Sequence, residues 1–137
     1  MKAVVLTGID GPKCLRINDV TTPCPLSGEV RVKLMASALN RRDYWMTRGR
    51  YPGTKVPCIP GSDGAGIVDA VGEGVNSSLI GREVILYPAR AWGENEAFYG
   101  PDFRILGMPD PGTFAELICT PAEDIYDKPA HLGWEQA

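Results

Sequence analysis

The sequence is poor in the side chains that bind transition metals. Its 137 residues contain one histidine, His131, and four cysteines, no two of which form a C-x-x-C pair. A domain of this length needs no disulfide scaffold, so the sequence predicts free structural thiols. The histidine lies in the Pro- and Gly-flanked segment KPAHLGW and is expected at the surface.

Long hydrophobic runs and clusters of positive charge are also missing. The longest apolar run is far shorter than the ~20 residues of a membrane-spanning helix, and the opening segment KAVVLTG is too short for a signal peptide. The formal net charge is −3, and the sequence has no basic stripe. We therefore expect one cytoplasmic domain without a nucleic-acid or membrane partner.

Glycine and proline are abundant instead. The 16 glycines and 12 prolines make up about a fifth of the chain, against an average of about 12%. A helix of typical length needs ~10–14 residues without such breakers. Only Glu29–Arg48 offers a long uninterrupted window, and its first part, VRVKL from Val30 to Leu34, alternates apolar and charged residues as a strand does.

Short strands separated by turns are predicted along the rest of the chain. Besides the strand around Val30 to Leu34, the candidates are Lys2–Leu6, Leu15–Val20, Gly66–Val71, Glu83–Leu86, Phe114–Thr120 and Asp124–Tyr126. This spacing favours a β-barrel or sandwich. No strand–helix–strand alternation is visible, which excludes a parallel doubly wound sheet within this chain.

One helix is predicted in the segment NRRDYWMTRG. Asn40 is a favoured N-cap, and Asp43 stands three residues later, as in a capping box with Asp in place of Glu or Gln. Gly49 suits the C-terminal cap because glycine tolerates a positive φ.

The order and spacing of several segments resemble the medium-chain dehydrogenase/reductase superfamily. They are MKAVVLTG, GEVRVKLMASALNRRD, PGSDGAGIVDAVGEGV, GREV and GTFAELICTP. Within this superfamily, the chain resembles zinc-independent quinone oxidoreductases and zinc-type alcohol dehydrogenase-like proteins that lack the zinc ligands. The resemblance implies a mainly β fold, a GroES-like β-barrel with short helices. It implies a substrate-side catalytic domain at residues 1–130, with 131–137 starting the connection to a Rossmann domain outside this chain.

The resemblance also implies where zinc would bind. Zinc members carry Cys where this chain has Asn40, and a His-Glu pair where it has Ser62 and Asp63. They carry four cysteines in a lobe that corresponds to Pro88–Gly112, which contains none. Because zinc sites use thiolate and imidazole ligands, we expect no zinc at either position.

Four consecutive residues are the main candidates for chemistry. Asn40 is expected to donate to a substrate oxygen or to the nicotinamide amide, or else only to cap its helix. Arg41 matches a position that contacts the cofactor pyrophosphate, and a solvated arginine is the alternative. Arg42 replaces a Ser or Thr of the alcohol dehydrogenase proton relay, and it cannot release a proton near neutrality. Asp43, which lies behind the metal ligands in zinc members, is expected to fix the helix. The candidate catalytic residues are thus Asn40 and Asp43.

Three aromatic residues are candidates for substrate binding. Tyr44, Trp45 and Tyr51 are expected either to form one wall of a flat substrate slot or simply to belong to the core.

Taken with the resemblance, these features favour the substrate-side domain of a zinc-independent, NAD(P)H-dependent oxidoreductase that transfers hydride to a quinone, enone or carbonyl. NADPH or NADH would be bound mainly by the Rossmann domain, because this chain has no G-x-G-x-x-G fingerprint. We expect this chain alone to be inactive and the enzyme to be a homo-oligomer. The alternatives are a free-standing GroES-like binding module and, less favoured, a zinc-dependent alcohol dehydrogenase domain.

Overall fold

A computed structural model describes residues 1–137. The fold is mainly β with one short α-helix, as predicted. The strands are β1 Lys2–Leu6, β2 Leu15–Asp19, β3 Glu29–Ala38, β4 Asp63–Val71, β5 Glu83–Leu86, β6 Ala89–Arg90, β7 Arg104–Leu106, β8 Pro109–Asp110, β9 Leu117–Pro121 and β10 Ile125–Asp127. The helix, α1, is Arg41–Thr47, and 3₁₀ turns occupy Pro12–Cys14, Ser77–Leu79 and Ala122–Asp124. None of the helices combines the length and apolar character that crossing a membrane would require.

The central element is an antiparallel sheet of five strands in the order β10-β5-β4-β3-β9. The β1-β2 hairpin is joined to the rest of the chain through main-chain hydrogen bonds. The N–H of Val4 donates to the carbonyl of Phe114 at 2.7 Å, and the N–H of Leu6 donates to the carbonyl of Cys58 at 2.8 Å. A third sheet, β6-β7-β8, is made of strands of two or three residues.

The core lies against one face of the five-stranded sheet. Val30 and Val32 are fully buried, while Lys33 between Val32 and Leu34 is exposed, so the predicted alternation on β3 is confirmed. The buried cluster consists of Val30, Val32, Val68, Val84, Leu86, Leu106 and Ile118.

The segment GSDGAG brings β4 unusually close to β3. A Cβ at Gly66 would lie 2.2 Å from the carbonyl oxygen of Lys33, so only glycine fits there. The β3–β4 register also shifts between Leu34 and Ala36. The glycines therefore allow a close approach of two backbones. Strand β4 begins at Asp63 and not at Gly66, where the sequence predicted its start.

The strands differ from the sequence-based predictions in other places as well. The strand expected to begin at Phe114 begins at Leu117, because the N–H groups of Thr113 and Phe114 donate to carbonyls of the 60–61 segment instead of a neighbouring strand. Strands β6 to β8 were not predicted at all, since segments of two or three residues carry no periodicity.

Helix α1 connects the end of β3 to the loop that leads into β4. Asn40 is its N-cap with an extended backbone, and Gly49 follows the C-cap with φ of 63°, so both predicted ends are confirmed. This connection places the start of α1 beside the start of β4.

Candidate active site

The start of α1 and the start of β4 border one cavity of about 480 Å³. Its polar lining residues are Asn40, Arg41, Arg42, Ser62 and Asp63. The structure thus brings together the Asn40 and the Ser62-Asp63 positions singled out in the sequence, although 21 residues lie between Asn40 and Ser62.

Asn40 is held from two directions. Its backbone N–H donates to Oδ2 of Asp43 at 2.8 Å, and its side-chain Nδ2 donates to Oδ2 of Asp63 at 2.6 Å. An Asn amide nitrogen carries two hydrogens. Asp63 engages one of them, and no other hydrogen bond within the protein engages the second.

Asp43 is 4% exposed and acts on the backbone. Besides accepting from Asn40, its Oδ1 accepts from the backbone N–H of Gly61 at 3.2 Å. Asp43 therefore ties the helix start to the loop that precedes Ser62. This contact agrees with the expectation that Asp43 fixes the helix geometry.

Arg42 is the most constrained cation of the site. Its Nη1 donates to Oγ of Ser62 at 2.7 Å and to the carbonyl of Leu106, and its Nη2 donates to the carbonyl of Met108 at 3.4 Å. The guanidinium carbon lies 4.8 Å from the centre of the Tyr51 ring. Arg42 Nε is buried without a hydrogen-bond partner. The result is a fixed positive charge beside the cavity, which the sequence identified only as a departure from a proton relay.

The charge of Arg42 also reaches a nearby thiol. Burial raises the pKa of Cys58, and the positive charge of Arg42 partly offsets that rise. A raised pKa keeps the thiol protonated, and the thiolate is the nucleophilic form of cysteine. Cys58 is partly buried and packs against the cluster of Leu6, Met46 and Met108.

Arg41 is exposed and borders the same cavity. It takes part in none of the ion pairs of the chain. Its guanidinium is thus available to an anionic ligand.

The three candidate aromatic residues have two different surroundings. Tyr44 and Trp45 contact each other edge-on, with ring centres 5.2 Å apart, and line a separate cavity with Arg48 and Arg50. Tyr51 instead packs beneath Arg42 and against the buried Leu6–Met46–Met108 cluster. The rings therefore do not stand together as one wall of the Asn40 cavity. Tyr44 and Trp45 lie on α1 whereas Tyr51 lies beyond its end, and the sequence pattern did not show that they would separate.

No group of three or more His, Cys, Asp or Glu side chains is placed to hold a metal ion. In the lobe where zinc members have cysteines, three aromatic rings pack together. Trp92 lies 5.4 Å from Phe103, and Phe103 stacks on Tyr99 at 4.8 Å between ring centres.

Comparison with known proteins identifies the family. The model of the family "Alcohol dehydrogenase GroES-like domain" matches residues 26–130. A crotonyl-CoA carboxylase/reductase of Cereibacter sphaeroides is 34% identical over 91% of this chain and 32% of its own length. A zinc-type alcohol dehydrogenase-like protein of Schizosaccharomyces pombe is 33% identical over 99% of this chain and 40% of its own length.

Solved structures share the fold. An NAD-dependent alcohol dehydrogenase superposes with a TM-score of 0.89 and 38% identity, over 98% of this chain and 41% of that one. The quinone oxidoreductase from Coxiella burnetii gives 0.79 and 27%, over the whole of this chain and 39% of that one. This chain therefore spans less than half the length of the relatives that it matches.

Proposed function

The chain belongs to the alcohol dehydrogenase GroES-like domain family, and we propose that it is the substrate-side domain of an NAD(P)H-dependent oxidoreductase that works without catalytic zinc. The substrate is a small carbonyl compound, enone or quinone. Residues 1–130 form this domain, and 131–137 lead towards a nucleotide-binding part of the enzyme. Relatives named as alcohol dehydrogenase, quinone oxidoreductase and crotonyl-CoA carboxylase/reductase support the reaction class.

The observation that carries the proposal is the hydrogen-bonded pair between Asn40 and Asp63. At the positions where the resemblance implies zinc ligands, an amide N–H donates to a carboxylate at 2.6 Å, and Ser62 Oγ accepts from Arg42. None of these groups is a thiolate or an imidazole. Oδ2 of Asp63 and Oγ of Ser62 are already hydrogen-bonded within the protein. The residues present do not fit zinc, and the mechanism below uses none.

The nicotinamide cofactor fits the cavity better. Arg41 has no ion-pair partner, and a guanidinium binds phosphate through two parallel hydrogen bonds. When bound, the cofactor supplies or accepts the hydride. This part of the proposal covers NADH and NADPH alike.

The protein groups orient the substrate and stabilise charge. The second Nδ2 hydrogen of Asn40 donates to the substrate oxygen or to the nicotinamide amide. The substrate oxygen gains negative charge during the reduction, and the fixed positive charge of Arg42 stabilises it. Arg42 keeps its proton, so the proton that completes the reduction comes from solvent. Asp43 acts as a positioning residue through the backbone of Asn40 and Gly61.

Chelation of the complete enzyme tests the proposal. The protein that carries this domain should reduce a quinone or an enone with NADPH or NADH at the same rate before and after exhaustive chelation. Elemental analysis should give well under one zinc per chain. Stoichiometric zinc whose removal abolishes turnover would contradict the proposal.

A further inference from the structure

A second cavity lies at the other end of α1 and has no part in the proposed hydride transfer. It measures about 630 Å³ and is lined by Ile9, Asp10, Lys13, Tyr44, Trp45, Arg48 and Arg50. A helix of seven residues is about 10 Å long. This cleft, which we name the Arg48 cleft, is therefore separate from the Asn40 cavity.

The backbone holds the walls of the Arg48 cleft in place. The N–H of Gly11 donates to the carbonyl of Thr47 at 2.8 Å, which fixes the loop carrying Lys13 against the end of α1. The N–H of Arg50 donates to the carbonyl of Trp45 at 3.0 Å, which turns the chain back over the helix. The cleft is thus bounded by hydrogen-bonded backbone on both sides.

The cleft carries more positive than negative charge. It contains three cations, Lys13, Arg48 and Arg50, and one carboxylate, Asp10. None of the three cations takes part in the ion pairs of the chain, whereas Arg31, Arg82, Arg90 and Arg104 all do. In a protein of net charge −3, this local excess of two positive charges suits a phosphate dianion better than a single carboxylate.

Two partly exposed aromatic rings accompany these charges. Tyr44 is 45% exposed and Trp45 is 38% exposed, and the guanidinium carbon of Arg48 lies 5.6 Å from the centre of the Tyr44 ring. Aromatic side chains beside cations offer a surface on which a planar base stacks while its phosphates meet the charges. The cavity volume also falls within the range of ~300–1,000 Å³ that is usual for small-molecule sites.

We propose that the Arg48 cleft binds an adenosine bisphosphate group. The phosphates lie on Lys13, Arg48 and Arg50, and the base packs against Tyr44 and Trp45. Such a group occurs in phosphorylated acyl-thioester carriers, where the second phosphate is on the 3′-oxygen, whereas the 2′-phosphorylated adenosine of NADPH is expected on the Rossmann domain. The cleft thus recognises a planar base with two phosphates, and the 3′-phosphorylated source is the one proposed.

Calorimetry on the 137-residue chain tests the proposal with two probes, adenosine 2′,5′-bisphosphate and adenosine 3′,5′-bisphosphate. We expect saturable binding that weakens as salt is raised. Tighter binding of the 3′ isomer supports a site for an acyl-thioester carrier, and tighter binding of the 2′ isomer overturns that assignment. Absence of binding of both isomers at millimolar concentration overturns the proposal.

Two matched double variants separate a site from a general charge effect. Arg48→Gln with Arg50→Gln removes two charges from the cleft, and Lys33→Gln with Lys55→Gln removes two exposed charges elsewhere. The first should weaken binding at least about tenfold, since the loss of one charge-assisted hydrogen bond is enough for that. The second should change it less than about twofold. Equal weakening in both variants overturns the proposal.

The contribution of the base is tested with pyrophosphate and with Trp45→Leu. We expect pyrophosphate to bind more weakly than either bisphosphate, and Trp45→Leu to weaken only the nucleotides. Pyrophosphate binding as tight as that of the nucleotides would show a simple anion site and overturn the proposal. Melting curves confirm that each variant is folded. No turnover is measured, so the result is independent of the proposed hydride transfer.

Discussion

Replacing Asn40 by Asp distinguishes a catalytic donor from a helix cap, but only with a second change. Considered from the sequence, Asp is as good an N-cap as Asn, so the helix should be unaffected. In the structure, however, Nδ2 of Asn40 lies 2.6 Å from Oδ2 of Asp63. Asn40→Asp would therefore place two carboxylates in hydrogen-bond contact.

The energetic cost of that contact has an upper bound. Two unit charges 2.6 Å apart repel by about 6 kcal/mol at an effective dielectric constant of about 20. Protonating one carboxyl of ordinary pKa at pH 7 costs only about 4 kcal/mol, so the pair takes up a proton before the full repulsion is reached. The single variant should lose at most about 4 kcal/mol at pH 7. The coupled pair has a raised pKa, so stability is retained at low pH and lost as pH rises through that pKa.

The double variant Asn40→Asp with Asp63→Asn exchanges the two partners. An amide at position 63 again donates to a carboxylate at position 40, so the melting temperature should return close to that of the parent. The double variant still lacks the second amide N–H that Asn40 supplies in the parent protein. Loss of one such donor costs about 2.7–4 kcal/mol, which is roughly a hundred- to thousandfold in turnover.

The assay is carried out on the complete enzyme, with melting temperature, cofactor affinity and turnover measured on the same samples. Recovery of folding without recovery of turnover identifies Asn40 as a donor in the reaction. Weaker cofactor affinity with most turnover retained at saturation assigns it to the nicotinamide instead. Parental values of all three in the exchanged variant would refute a role beyond capping.

Four further predictions concern other residues of the chain. Arg42→Met should lower kcat/KM more than Arg42→Lys does, because lysine keeps the positive charge. Lysine lacks the forked guanidinium that bonds Ser62 and two carbonyls, so equal losses would show that only the guanidinium geometry matters. Gly66→Ala should lower the free energy of unfolding by about 3 kcal/mol or more, because its Cβ would meet the Lys33 carbonyl oxygen at 2.2 Å, and a parental denaturation midpoint would contradict that contact. Burial raises the pKa of Cys119 to about 11 from 9.0. The free energy of unfolding should therefore be constant below pH 9 and fall between pH 9 and about 11. The fall should be smaller in Cys119→Ser. At pH 8, mass spectrometry should detect alkylation of the exposed Cys24 before that of Cys119.

Local patterns determined the elements of the fold. The alternation of VRVKL predicts strand β3, and the polar residue Asn40 followed by Gly49 nine positions later predicts both ends of α1. These features depend on neighbours a few residues apart, so the chain order alone is enough. Strands of two or three residues cannot be predicted in this way, because they are too short to show periodicity and form only through pairing with other strands.

The sequence also identified the positions of the candidate site, but not its interactions. Asn40, Ser62 and Asp63 stand out because they occupy positions where zinc members carry Cys, His and Glu. That Asn40 donates to Asp63 and that Arg42 is anchored on the Leu106 carbonyl required the folded chain, since these partners lie 23 and 64 positions away. Long-range hydrogen bonds leave no periodic trace in a sequence.

The surroundings of each aromatic ring were likewise decided only by tertiary structure. The sequence offers Tyr44, Trp45 and Tyr51 as one aromatic group. In the folded protein, Tyr44 and Trp45 line the Arg48 cleft, while Tyr51 supports Arg42. The loop around Gly11 that closes the Arg48 cleft comes from a distant part of the chain. Composition and spacing therefore determined which side chains are present, and the packing of loops against a short helix decided which of them act together.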